Sequence, residues 1–223
     1  MRAGALYLAL YNTAQLAAWA WVLAAATSSA ALSSPALSPA AAAAYASVHR
    51  VVSACQGATL LETVHALLGL TRSGAAGNFA QWAGRTHCWF VLTQVAALHS
   101  HPATLALLLA WALSDVVRYA WAALTVLGLC PRSLTWLRYT IFIPLYPAGT
   151  LAELTLLVRA VPAATAGSVV RHLALPNALN VSFDYSFFLL FVLIIYPACW
   201  LHLYRHVFRQ RAKLFGADAK KQR

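Results

Sequence analysis

Two side chains able to exchange protons, Tyr146 and Glu153, lie in one apolar stretch, LRYTIFIPLYPAGTLAE (Leu137–Glu153). On a helix, a spacing of seven is about 700° of rotation, so both groups fall within roughly 20° of one face, about 10.5 Å apart in rise. Glu153 is one of five acids in the chain. On a hydrophobic helix an acid must find a polar partner or remain protonated. Two proton-transfer groups on one face are the minimum for acid–base chemistry. The prolines at 144 and 147 remove backbone donors and predict a kink beside Tyr146 that shortens the gap. Which group gives the proton and which takes it stays open at this level.

Other polar residues recur at helical spacing. Glu62 and His65 are three apart, close enough to meet across one turn as a buried structural pair or as catalytic groups. Asp115 and Arg118 have the same spacing, so the acid can be neutralised by its own helix neighbour. The Arg118-Tyr119 and Arg138-Tyr139 pairs offer donors for a developing negative charge. The plainer alternative makes both pairs interfacial anchors, with arginine snorkelling and tyrosine among headgroups. Arg138 is equally suited to a phosphate contact.

The elements carrying these residues are hydrophobic. Of 223 residues, 61% are apolar and 9% charged, against about 25% charged in soluble domains. Several stretches approach the roughly 20 uncharged residues that cross a bilayer. Spans are expected near 5–26, 45–69, 82–99, 103–128, 134–158 and 184–204, giving an all-α polytopic membrane protein with about six transmembrane helices and a kinked fifth helix. The first is read as a retained span rather than a cleaved leader. The Ala/Ser/Pro-rich segment 27–44 reads as a loop on the non-cytosolic side. Arg72 and Arg85 bracket a Gly- and Ser-containing stretch read as a cytosolic loop, and residues 159–183 read as a polar connection. The aromatics of the sixth span look like an interfacial belt.

Residues 1–204 thus form a single membrane domain, and 205–223 a basic cytosolic tail. The net charge of +11 lies mostly in that tail and fits an anionic lipid surface better than nucleic acid, for which no motif is present. Arginines on one side of the spans favour both termini in the cytosol. The closing KKQR has the form of a dilysine retrieval address. Four dispersed cysteines imply neither a disulfide framework nor zinc. His202 and His206 make a single HxxxH without the further histidine boxes of a di-iron enzyme. His87-Cys88 lacks the arginine of a cysteine phosphatase, and there is no Walker or GxGxxG loop. No metal or cofactor is expected.

Five ordered blocks, YLALYNTAQLAAW (Tyr7–Trp19), LLETVHALLGLTRS (Leu60–Ser73), WALSDVVRYAW (Trp111–Trp121), LRYTIFIPLYPAGTLAE and PNALNVSFDYSF (Pro176–Phe187), make the chain resemble the 3-hydroxyacyl-CoA dehydratases of very-long-chain fatty acid elongation, also called protein-tyrosine-phosphatase-like proteins. Asp115 stands where that family usually has glutamate. The resemblance implies a lyase of the endoplasmic reticulum membrane that removes water from (3R)-3-hydroxyacyl-CoA to give trans-2-enoyl-CoA. It implies Tyr146 and Glu153 as the functional pair, with other elongation-cycle enzymes as partners. The acyl chain would lie in an intramembrane cavity open to the cytosol. A non-catalytic scaffold for elongation partners is the competing expectation. A small transporter ranks below it, since no inverted repeat is evident.

Overall fold

Runs of alanine and leucine, both strong helix formers, set most of the secondary structure. A computed structural model describes residues 3–33, 35–170 and 184–221. Within them lie α1 (Ala3–Leu32), α2 (Leu37–Leu67), α3 (Ala75–Gln94), α4 (Ala96–His99), α5 (Pro102–Val126), α6 (Arg132–Arg138), α7 (Phe142–Thr165) and α8 (Tyr185–Lys221). The fold is all-α and polytopic. Among the described residues, four helical stretches are long and apolar enough to cross a membrane: Ala3–Leu32, Pro102–Val126, the joined stretch Arg132–Thr165, and Tyr185–Phe215. The other two long helices, α2 and α3, are not apolar enough, so the expected six spans are not all visible by length and composition.

Helix α5 is the hub, packing against α1, α2, α6 and α7. Close approach of α1 and α2 is permitted by Ala26, Ala40, Ala41 and Ala44, all essentially inaccessible. Small residues allow such backbone contact where lipid supplies little hydrophobic drive. Buried Leu107, Leu108, Leu156 and Leu157 fill the space around α5 and α7. Helix α8 lies against α7. At its start Tyr185 meets His87 of α3, hydroxyl to Nε2 at 2.8 Å.

Three sequence expectations change here. The segment 27–44 is largely helical: α1 runs on to Leu32 and α2 opens at Leu37. Pro39 falls in the first turn of α2, where backbone N–H groups have no intrahelical acceptor, so it costs the helix little. Arg85 is no loop residue but lies midway along α3. Arg159 belongs to α7, which continues to Thr165. Arg171, His172, Asn177 and Asn180 lie outside the described residues, as does most of the Pro176–Phe187 block. Helix α8 passes residue 204 without a break, and Gln222 and Arg223 of the KKQR ending are outside the described residues.

The expected kink also moves. The chain breaks between α6 and α7, at residues 139–141, upstream of both prolines. Pro144 sits in the first turn of α7 and disturbs nothing there. Pro147 lies inside the helix and deprives the Ile143 carbonyl of its donor. The Tyr204 hydroxyl of α8 takes that place, donating to Ile143 O at 3.1 Å. Helices α2 and α5 end at Gly69 and Gly128, whose φ values of 69° and 71° suit glycine.

Candidate functional site

Helices α3, α5, α7 and α8 enclose a cavity of about 370 Å³. Tyr146 and Glu153 both line it from α7, with Gly149 between them on the same face. Seven residues of helix therefore bring the two side chains to one space. Facing them are Arg85 from α3, Trp111 from α5 and Tyr196 from α8.

Both oxygens of Glu153 accept hydrogen bonds. The Trp111 indole donates to Oε1 at 2.8 Å, and the Tyr196 hydroxyl donates to Oε2. An indole N–H can only donate, so Oε1 is an acceptor whatever the proton does elsewhere. Tyr146 stacks on Tyr204 with ring centroids 5.9 Å apart, and Tyr204 stacks on Trp200 at 5.0 Å. The tyrosine is thereby held by α8 while its α7 neighbour Glu153 is held by α5 and α8.

A second polar cluster lies beside the cavity. All three Arg118 nitrogens are engaged: Nε to Asp115 Oδ1 at 3.0 Å, NH1 to Glu62 Oε2 at 2.6 Å, and NH2 to the Tyr119 hydroxyl at 2.7 Å. Tyr119 donates in turn to Glu62 Oε1 at 2.6 Å. The expected Asp115–Arg118 pair is thus present, but Glu62 turns to Arg118 and Tyr119 rather than to His65. His65 meets the Tyr7 hydroxyl at 2.8 Å instead. Glu62, Asp115, Arg118 and Tyr119 stitch α2 to α5 and do not line the cavity. Arg138 and Tyr139 also lie off it; the Arg138 guanidinium rests 4.6 Å from the Trp121 ring centroid and 5.8 Å from that of Tyr139.

Arg85 joins the two clusters. Its NH2 pairs with Asp115 Oδ2 at 2.6 Å, and its guanidinium lies 4.4 Å from the Trp111 ring centroid and 5.4 Å from that of Trp19. Sequence reasoning missed Arg85, Trp111 and Tyr196. An arginine following Trp82 and Gly84 in a helix-length stretch was a signal, had the glycines at 74 and 77 not read as a turn. Tyr196 had none, being one aromatic among many in an apolar run.

The profile of the family described as "Protein tyrosine phosphatase-like protein, PTPLA" matches residues 56–217. A rice protein (Oryza sativa subsp. japonica) named very-long-chain (3R)-3-hydroxyacyl-CoA dehydratase PASTICCINO 2B is 33% identical over 210 residues, covering 93% of this chain and 92% of its own. The mouse (Mus musculus) very-long-chain (3R)-3-hydroxyacyl-CoA dehydratase 2 is 32% identical over 173 residues, covering 77% and 68%. The human (Homo sapiens) protein of the same name is 31% identical over the same shares. No solved structure matches the chain.

Proposed function

The chain belongs to the protein tyrosine phosphatase-like family, and from that premise we propose that it is a hydro-lyase converting very-long-chain (3R)-3-hydroxyacyl-CoA to trans-2-enoyl-CoA. The names of its relatives and the shared cavity of Tyr146 and Glu153 support this reading. The cavity carries it, because dehydration needs one group to take the C2 proton and another to protonate the departing 3-hydroxyl.

Glu153 takes the C2 proton. The C2–H electron pair becomes the C2=C3 bond, the C3–O bond breaks, and the leaving oxygen receives a proton from Tyr146 and departs as water. The acceptor role of Glu153 toward Trp111 and Tyr196 favours this direction over its reverse. Apolar lining such as Leu145, Val192, Ile195 and Leu203 suits the first carbons of the acyl chain.

The reading extends to six spans in the endoplasmic reticulum membrane, with both termini and the basic 205–223 segment cytosolic. For α2 and α3, support comes from where their polar groups go: Glu62 and Arg85 pair with α5 inside the bundle rather than meeting lipid. Arg72, Arg132 and the arginines of the α8 end fall on one side of such an arrangement. Other elongation-cycle enzymes are the partners this reaction calls for.

The test is turnover of a long-chain (3R)-3-hydroxyacyl-CoA by purified protein beside Tyr146→Phe and Glu153→Gln. Each substitution is expected to remove about 10²–10⁴-fold of the rate in a folded protein. A folded wild type inactive at every chain length overturns the proposal in favour of a scaffold.

A further inference from the structure

Removing the C2 proton pushes negative charge onto the thioester oxygen, and a preorganised donor aimed at that oxygen lowers the barrier. The arginines expected for this task are committed elsewhere. Arg118 spends its three nitrogens on Asp115, Glu62 and Tyr119, and Arg138 lies against Trp121, away from the cavity. Among the described residues, Arg85 is the arginine that lines the cavity.

Its setting is that of a fixed donor. Asp115 grips one end of the guanidinium through NH2 at 2.6 Å, and the Trp111 and Trp19 rings hold its faces. The side chain is 14% exposed, and its Nε is buried with no hydrogen-bond partner among the described residues. Nε is thus sealed off, and the exposed part of the guanidinium is what a ligand in the cavity can meet. The same Trp111 that carries the Arg85 cation on its face donates from its edge to Glu153. Cation and base are thus held by one indole.

We propose that Arg85 is a catalytic residue whose guanidinium receives the thioester carbonyl oxygen and stabilises the enolate formed as the C2 proton leaves. This rests on the dehydratase reading above. When Glu153 takes the proton, negative charge passes from its carboxylate to the thioester oxygen. The site's total charge is unchanged, and Arg85 faces an anion at both stages. Collapse of the enolate then expels the 3-hydroxyl, protonated by Tyr146. The Arg85–Asp115 pair persists throughout, so Asp115 is a positioning residue for this donor.

The test is isotope-edited infrared spectroscopy of wild-type protein in lipid nanodiscs, with a saturated long-chain acyl-CoA carrying ¹³C at the thioester carbonyl. This ligand has no hydroxyl to lose. The bound carbonyl band is expected below the free position, and Arg85→Gln is expected to abolish the shift. Steady-state dehydration by Arg85→Gln should fall about 10²–10³-fold in kcat, with KM within about threefold of wild type. Arg85→Lys keeps a cation beside Asp115 and should recover part of both signals, which a merely structural role would not couple. A wild-type band at the free position overturns the proposal, whether or not any variant folds. So does Arg85→Gln that keeps the shift and the rate. A wild type that yields no enoyl-CoA overturns the dehydratase reading itself.

Discussion

The Tyr196 hydroxyl, on α8, donates to Oε2 of Glu153, on α7, while α5 supplies the donor to the other oxygen. The carboxylate is therefore oriented by two helices that do not carry it. Its aim depends on how α8 sits against α7.

Tyr196→Phe removes one of these donors and leaves the ring. A hydrogen bond to a charged group is worth about 1.5–3 kcal/mol. If that orientation is felt in the transition state, kcat falls roughly 10- to 100-fold at nearly constant KM. Steady-state kinetics on one long-chain substrate decide it, and a pure KM effect would show that Tyr196 only shapes the cavity.

Trp111→Phe keeps an aromatic face beneath Arg85 but deletes the indole N–H on Oε1. Its rate should fall by a similar factor. Combined with Tyr196→Phe, the loss should differ from the product of the two single losses, because both donors act on one carboxylate. Strict multiplicativity in the four-enzyme cycle would refute that coupling.

Arg118 uses every nitrogen it has, so even lysine cannot replace it. Arg118→Met is expected to cost about 3–5 kcal/mol by removing, among the described residues, the one cation paired with Glu62 and one of the two paired with Asp115, and Arg118→Lys less. The readout is the unfolding midpoint in detergent. Rate per folded molecule should change little, since Arg118 does not line the cavity. A fully folded Arg118→Met protein without activity would contradict this.

Pro147 and Tyr204 form a compensating pair. Tyr204→Phe orphans the Ile143 carbonyl at a cost of about 1–3 kcal/mol. In a Pro147→Ala background residue 147 regains its N–H, and the same tyrosine substitution should cost markedly less. Equal costs in the two backgrounds, measured by unfolding, would mean that the Tyr204 contact does not serve the proline.

Sequence alone placed Tyr146 and Glu153 on one face, and both line the cavity, because helical periodicity is local: residues seven apart share a face wherever the helix goes. The Asp115–Arg118 pair was legible for the same reason. Arg85 was not, because its partner lies 30 residues away and only packing of α3 on the bundle joins them. Tyr196 was hidden by composition, as one aromatic in a run where apolarity alone explains every side chain. The segment 27–44 misled in the opposite sense. Its prolines suggested a loop, yet Pro39 occupies a turn that tolerates proline and the alanines around it favour helix. Glu62 was visible as an acid but not as the partner of Arg118, which lies 56 residues away.

The polar cluster has a consequence for how the protein is made. Glu62 leaves the ribosome on α2 and Arg85 on α3, but both find their partners on α5, in Asp115 and Arg118. A charged side chain within a spanning helix opposes insertion, by up to about 2.5–3.5 kcal/mol at the helix centre. In the six-span arrangement proposed above, α2 and α3 carry uncompensated charges during synthesis until α5 arrives, and its arrival settles both at once. On that proposal, a nascent chain halted before Pro102 would hold these two helices in the bilayer only loosely, and the fifth helix would be the commitment point of biogenesis.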